Sequence, residues 1–280
     1  MEAGLEGHAR SLISRSLASS TWRMSASVKS RLQKMELVHG IDLQFPWCNK
    51  QLMNFITACS MEGLKHSTVT AYLSTVRREH RLGGFEFTAD DHWSKMLLAG
   101  MKTGTTTSDK RLAVTPKLLW LLKQRIKASS LTKYNKLMLW TIACFLFFGA
   151  FRANEILSPQ ARTFNDNTLV GSRIMWSCEE EAPENSWITV SLLGPKEKRN
   201  YEVVKVELLG LDDPVFCPVR AWRNWRKRAS GSVPLDPELP IFRFESGVNV
   251  TASWLNDTLR DLLKWDVDYS KVGVLSHSFR

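Results

Sequence analysis

The sequence predicts an α+β protein that is mostly helical, with a small antiparallel sheet in its second part. Three observations predict this fold class. Apolar residues recur at helical spacing before position 103. Residues 134–146 are nearly all apolar, as expected for a helix buried on every side. Two strand-like runs, 186–193 and 201–208, flank a turn and predict a hairpin.

The first part of the chain carries the pattern of a small helical bundle. Helix signals occur at 27–38, from Asn49 to a stop at Gly63, at 67–81 and at roughly 90–101. These four helices predict a first domain at 1–102. The polar run 103–110 has no apolar residue to bury and is the predicted linker. The second domain is then 111–280.

The second domain begins with a helix whose first turn contains Pro116, and the buried helix 134–146 follows. The hairpin comes next, and its long tip 194–200 is basic. Two more helices are predicted at 218–228 and 253–263.

Composition restricts the classes of function. Apolar residues make up 44% of the 280 residues, and the formal net charge is +10, so nucleic acid is the first partner to test. The alternative is a basic protein that its charge keeps soluble. The five cysteines form no CxxC pair and the six histidines have no ligand spacing, so we expect no metal, no disulfide and an intracellular protein. The sequence contains no motif of a phosphate-binding loop, a dinucleotide-binding site, a zinc protease or a serine hydrolase, so we expect no cofactor and no small-molecule substrate. No apolar run is long enough to span a membrane.

The predicted helix 67–81 is a candidate for contacting DNA. Val69, Tyr72, Leu73 and Val76 form one apolar stripe that predicts a core-facing side. Hydroxyl and cationic side chains on another side could donate to phosphates and base edges. The alternative is a solvated surface helix. The DNA-binding candidates are Lys65, Ser67, Thr70, Arg77, Arg78 and Arg81.

A second set of cationic residues could act on a phosphodiester. Arg152 follows the buried helix, and Glu155 lies three residues later, on the same face if that turn is helical. Lys196 and Lys198 fall on the hairpin tip, and His277 and Arg280 end the sequence. Arginine can grip phosphate oxygens with two hydrogen bonds, and lysine or histidine can move protons, so this set suits metal-free phosphoryl chemistry.

Five segments, in order, resemble the tyrosine recombinases, or phage-type integrases. They are 147–157 (FFGAFRANEIL), 194–198 (GPKEK), 216–222 (FCPVRAW), 240–244 (PIFRF) and 275–280 (LSHSFR). The last three are similar to the variant found in eukaryotic mobile elements. The four N-terminal helices resemble the family's SAM-like core-binding domain.

The resemblance implies a role for each residue of the second set. Arg152 and Arg280 would clamp the scissile phosphate, and Glu155 would hold Arg152 in place. Lys196 would protonate the leaving oxygen, with Lys198 as the alternative, and His277 would assist proton transfer at the nucleophile. The partner would be double-stranded DNA, on which several copies assemble in full-length members of the family. The protein would be nuclear if its host is a eukaryote.

The sequence departs from the family's pattern at the nucleophile. In the family, a catalytic tyrosine lies downstream of the His-x-x-Arg box, whereas Tyr72, Tyr134, Tyr201 and Tyr269 all precede it. We therefore expect a truncated chain that cannot cut or join DNA alone. Two alternatives stay open, namely an inactive DNA-binding remnant of a mobile element and a gene-model fragment without a role.

Overall fold

The protein divides into two compact units, Met1–Ser108 and Asp109–Arg280. The structure, a computed structural model, describes residues 2–17, 19–87, 91–103, 113–179, 185–193, 203–229, 236–266, 269 and 276–279. The predicted linker 103–110 lies outside these residues except for Thr103, which ends a helix. The predicted mostly helical fold with a small antiparallel sheet is confirmed.

The described part of the first unit contains five helices rather than the four predicted. They are α1 (Glu2–Ser16), α2 (Ser19–His39), α3 (Asn49–Met61), α4 (His66–Leu82) and α5 (Asp91–Thr103). Helix α1 was missed because it has no apolar stripe, and even its Leu12 and Ile13 are about half exposed. Helix α2 begins earlier than predicted for the same reason, since its first turns contribute little to the core.

The core of the first unit is built by α2, α3 and α4. Val69, Leu73 and Val76 of α4 are buried as predicted, whereas Tyr72 is half-buried. They pack in one cluster with residues such as Met35 of α2. Burial of such side chains contributes about 1.5–3 kcal/mol each, which makes this stripe the main reason why α4 docks as it does.

His80 connects the end of α4 to the loop before α3. Its imidazole is fully buried, and Nε2 accepts a hydrogen bond from the backbone N–H of Trp47 at 2.9 Å. Nδ1 lies 2.8 Å from the carbonyl oxygen of Val76, so the neutral tautomer with its proton on Nδ1 satisfies both contacts. The rings of Phe45, Trp47 and Phe87 surround it.

Cys48 caps helix α3. Its backbone N–H donates to Oε1 of Gln51 at 2.8 Å, and the Gln51 backbone N–H in turn approaches the Cys48 sulfur. The side chain of Cys48 is exposed. The hydrogen bond from the Gln51 backbone lowers the pKa of the Cys48 thiol below its ordinary value.

The second unit contains five α-helices, two short 3-10 helices (Gly171–Arg173 and Ser276–Phe279) and a three-stranded antiparallel sheet in its described part. The helices are α6 (Pro116–Ala128), α7 (Lys133–Phe148), α8 (Ala153–Ile156), α9 (Pro218–Ala229) and α10 (Ala252–Leu263). The strands β1 (Ile174–Ser177), β2 (Trp187–Leu193) and β3 (Val203–Leu209) lie in the order β1-β2-β3. Threonine hydroxyls of Thr115, Thr132 and Thr251 accept backbone N–H groups at the starts of α6, α7 and α10.

Helix α7 is the centre of the second unit. Its residues 138–146 are all buried, as the nearly continuous apolar run predicted. Phe145 stacks on Trp222 of α9 with ring centroids 5.7 Å apart, and Trp225 stacks on Phe242 at 5.2 Å. This aromatic cluster fixes α9 and the segment around Phe242 against α7.

A charged network joins α2 to α4 in the first unit. The carboxylate of Glu79 is largely buried and lies 2.8 Å from Nζ of Lys29 and 3.9 Å from Nη2 of Arg78. Burial by itself raises the pKa of Glu79, but hydrogen bonds from Lys29 and Ser25 and the nearby positive charges outweigh it and lower the pKa below its ordinary value.

We expect the free energy of unfolding to fall as the pH is lowered from about 5 to about 3, in part because of Glu79. A carboxylate whose pKa is lower in the folded state stabilises the fold above its unfolded pKa, and this contribution is lost as the pH falls through the folded pKa. Glu79→Gln should reduce the pH dependence of the urea midpoint in that range. Glu86→Gln, which changes an exposed carboxylate, should leave it as in the wild type. Equal slopes for the wild type and Glu79→Gln would contradict the interpretation.

Candidate functional site

Arg152 lies in a tight turn between α7 and α8. Helix α7 ends at Phe148, Gly149 caps it, and Ala150 adopts a left-handed conformation with φ of 48°. A Cβ on Gly149 would lie 2.9 Å from the carbonyl oxygen of Phe145, so a larger residue does not fit there. Phe151 is 2% exposed and anchors the turn in the core.

The carboxylate of Glu155 fixes the orientation of the Arg152 side chain. Nη1 of Arg152 donates to Oε1 of Glu155 at 2.8 Å, and the backbone N–H of Arg152 donates to Oε2 at 2.7 Å. Both side chains are half-buried, and Ala153 and Ile156 between and after them are buried. Because one carboxylate bonds both the main chain and the guanidinium, the direction of the Arg152 side chain is set by α8 itself.

The segment that contains His277 packs into the same core as the Arg152 turn. Residues Ser276–Phe279 form a short 3-10 helix, whose Phe279 is 5% exposed and belongs to the cluster that includes Phe151. The backbone N–H of Ser276 donates to Oδ1 of Asn256 at 2.8 Å, and the carbonyl of Ser278 accepts from the backbone N–H of Val114 at 2.6 Å. The side chain of His277 and all of Arg280 lie outside the described residues.

Helix α10 links these two segments. Just after α8, the backbone N–H of Ser158 donates to the carbonyl of Val250 at 3.1 Å, next to Thr251, which caps α10. Asn256, on the same helix, holds Ser276. The Arg152 segment and the His277 segment are therefore attached to one short helix.

The hairpin that was predicted to carry the catalytic lysine is present. Strands β2 and β3 pair from Trp187↔Leu209 to Leu193↔Val203. Lys196 and Lys198 lie between them, in residues 194–202, which the structure does not describe.

The DNA-binding candidates on α4 separate into two groups. Lys65, Ser67, Thr70 and Arg81 are exposed, and Lys65 stands at the N-cap of the helix. Arg77 and Arg78 are half-buried and have partners within the unit. The guanidinium of Arg77 lies 5.6 Å from the ring centroid of Phe87, and Nη2 of Arg78 lies 2.5 Å from Oγ of Ser25.

Sequence reasoning missed the residues that hold Arg78. Glu79 and Ser25 were not singled out, because a helical pattern does not show which carboxylate is buried by another helix. Glu79 directly follows Arg78 in the sequence. Adjacent residues on a helix do not face each other, so this position did not predict an ion pair.

The three tyrosines in the described part of the chain are embedded in the fold to different degrees. Tyr134 is 1% exposed and its hydroxyl donates to the carbonyl of Arg243 at 2.7 Å, while burial raises the pKa of this hydroxyl. Tyr72 and Tyr269 are half-buried. Tyr201 lies outside the described residues.

The described residues hold neither a cluster of metal-ligating side chains nor a membrane-spanning helix. They contain no group of three or more His, Cys, Asp or Glu side chains that could hold a metal ion. They also contain no helix with the length and apolar character that a bilayer crossing requires.

Comparison with known proteins identifies the fold. No protein-family model and no curated protein matches the chain. Among solved structures, the XerH site-specific recombinase bound to its difH substrate, in a pre-cleavage complex, is 12% identical with a TM-score of 0.52 over 89% of this chain. The Tn1549 transposon integrase in complex with circular intermediate DNA is 11% identical with a TM-score of 0.55 over 97% of this chain, and its complex with transposon right end DNA is 13% identical with the same TM-score over 94%.

The chain therefore has the fold of the tyrosine recombinases and integrases, as the motifs predicted. It spans 63% and 59% of the lengths of two XerH chains, and 82% and 79% of the two Tn1549 integrase chains.

The left-handed conformation of Ala150 leads to a prediction about the Arg152 turn. A non-glycine residue in this conformation costs about 1–2 kcal/mol, and glycine avoids this cost but loses about 0.5–1 kcal/mol in chain entropy. Ala150→Gly should therefore leave the free energy of unfolding unchanged or raise it by up to about 1 kcal/mol, whereas Ala150→Val should lower it by about 1 kcal/mol or more. Urea unfolding measures the free energy of unfolding of both variants. If Ala150→Val stabilised the protein, Ala150 would not have the left-handed conformation.

Proposed function

We propose that this chain binds duplex DNA and provides most of the phosphate-binding site of a recombinase that breaks and rejoins DNA. The observation that carries the proposal is the shared packing of two segments. The Arg152–Glu155 turn and the Ser276–Phe279 helix lie in one core and attach to α10 or to the residues just before it, in a fold shared with the XerH and Tn1549 integrase structures, which are DNA complexes. This arrangement brings the backbone before Arg280 into the same core as Arg152.

In this proposal Arg152 binds a non-bridging oxygen of the scissile phosphate, and Glu155 orients it. Arg280 binds the same phosphate from the other segment, since two guanidinium groups stabilise the charge that develops on five-coordinate phosphorus. His277 assists proton transfer at the attacking oxygen. Lys196, or alternatively Lys198, protonates the leaving oxygen. In the tyrosine recombinase family, DNA breakage and rejoining by these residues needs no metal ion.

The first unit supplies the sequence-independent DNA contacts, as the family's SAM-like core-binding domain would. The first turn of α4 contains no acidic residue, and Lys65 precedes it. The positive end of the helix dipole and the Lys65 ammonium together favour a phosphate. Further along the helix, Arg81 lies on the exposed side that carries Ser67 and Thr70, and Arg77 and Arg78 flank this side.

The DNA-binding proposal predicts affinity that depends on salt. The dissociation constant for a random-sequence duplex should rise at least about tenfold between about 50 and 200 mM salt, because bound phosphates release counterions. Lys65→Glu/Arg81→Glu should weaken binding about tenfold or more at the lower salt concentration. Fluorescence anisotropy with a labelled duplex measures both.

A matched control reverses two exposed lysines on other helices, Lys34→Glu/Lys50→Glu, and should change the affinity much less. Equal losses for both double variants would show that only net charge matters and that the α4 face is not the interface. Affinity that does not depend on salt would remove the basis of the proposal altogether.

The position of the tyrosines leads to a separate prediction about cleavage. The hydroxyl of Tyr134 is buried in a hydrogen bond to the carbonyl of Arg243, so it is not placed like a nucleophile. We propose that none of the four tyrosines attacks phosphorus. Incubation with a nicked duplex should give no covalent protein–DNA adduct on a denaturing gel, and a phosphotyrosine adduct mapped to any of the four would refute this.

A further inference from the structure

A groove on the second unit lies away from the Arg152 turn and has an unusual composition. It is formed by α6, α7, the segment before α9 and the start of α9, with a volume of about 350 Å³. Its residues on α7 are Lys133, Lys136, Leu137 and Trp140, in the first half of that helix, whereas Arg152 follows the other end. A helix of 16 residues is about 24 Å long, so this groove is separate from the candidate active site.

The floor and one wall of the groove are apolar. Trp140 and Ile126 are 6% and 4% exposed and form its base. Trp120 is 46% exposed and stands beside the base as a wall. Exposed indole surface next to an apolar floor is typical of a surface that packs against a partner's side chain.

The rim of the groove carries positive charges that the fold holds in place. Nζ of Lys123 lies 3.2 Å from the carbonyl oxygen of Val215 and 4.5 Å from the centroid of the Trp140 ring. Nζ of Lys136 donates to the carbonyl oxygen of Lys127 at 2.9 Å. Burial lowers the pKa of Lys123 below its ordinary value, and the negative charge of Asp213 partly opposes this shift.

No carboxylate lies within ion-pair distance of the rim lysines among the residues that the structure describes, and Asp213 acts on Lys123 only from further away. No Asp or Glu lines the groove among the residues that the structure describes, and there Lys123, Lys133 and Lys136 form no ion pair with a carboxylate. Asp213 lies just before the groove residue Pro214, but its Oδ1 accepts the backbone N–H groups of Val215 and Phe216 at 2.7 and 3.1 Å.

We propose that this groove docks an acidic amphipathic helix of a partner protein, with an aliphatic or aromatic side chain against Trp120 and Trp140 and carboxylates against the lysine rim. The lining residues of α6 extend from Trp120 to Lys127, about 10 Å, which matches two turns of a docked helix. Duplex DNA fits the charges but offers no apolar side chain for the tryptophan floor. An acidic amphipathic protein helix offers apolar side chains for the tryptophan floor and carboxylates for the lysine rim.

The test uses the full chain and a fluorescein-labelled helical peptide of about four turns, with Leu and Trp on one face and Asp and Glu on the other. Binding is measured by anisotropy. We expect saturable binding that weakens as salt rises and that Lys133→Glu/Lys136→Glu reduces at least about tenfold. Trp120→Ser should reduce it about fivefold or more. If the double variant does not fold, Lys133→Glu alone, which leaves the Lys136 hydrogen bond intact, should still reduce the affinity.

Two matched controls separate the groove from general effects. Lys34→Glu/Lys50→Glu carries the same change in charge, and Trp265→Ser removes an 81% exposed tryptophan elsewhere on the second unit. Both should bind the peptide like the wild type. Absence of peptide binding, or equal losses in the groove and control variants, would overturn the proposal. It would also be overturned if the groove variants lost affinity for a labelled duplex and not for the peptide, since the groove would then be a DNA surface.

Discussion

The candidate active site depends on the support that α10 and the residues just before it give to its two described segments. The side-chain carbonyl of Asn256 accepts a hydrogen bond from the backbone N–H of Ser276. The backbone N–H of Ser158, just after α8, donates to the carbonyl oxygen of Val250. Both partners belong to α10 or to the residues just before it. Because two segments distant in the sequence share this support, the geometry between them is a property of α10 and of the core beneath it, rather than of either loop.

Two arginines that each lie beside a glutamate, Arg152 and Arg78, have different roles in the two units. Glu155 directs Arg152 from within the same short helix, whereas Glu79 and Ser25 hold Arg78 in the packing of α2 against α4. A count of positive charges on α4 therefore overstates its exposed charge, because Lys65 and Arg81 are exposed whereas Arg77 and Arg78 are half-buried.

The sequence predicted those features that depend on local pattern or on local chemistry. The apolar run of α7, the stripe of Val69, Leu73 and Val76, and the hairpin could all be predicted because burial repeats with the period of the element. Helix α1 could not, because its sequence shows no apolar stripe. Three further features could not be predicted from the sequence, because each depends on contacts between different helices and produces no periodic pattern. They are the anchoring of Ser276 by Asn256, the burial of Glu79 and the lysine groove. The Arg152–Glu155 pair was predictable because its partners lie one helical turn apart.

The capping of α3 by Cys48 has a consequence for spectroscopy. Three of the five thiols, those of Cys59, Cys144 and Cys217, are buried, and burial raises the pKa of Cys59 to about 11 and that of Cys144 further still. Cys48 is exposed and forms its thiolate more readily than an ordinary cysteine, while Cys178 is only half-exposed. A maleimide dye or spin label added briefly near neutral pH will thus modify the start of α3 first, and a reporter group can be placed on the first unit without mutating the natural cysteines.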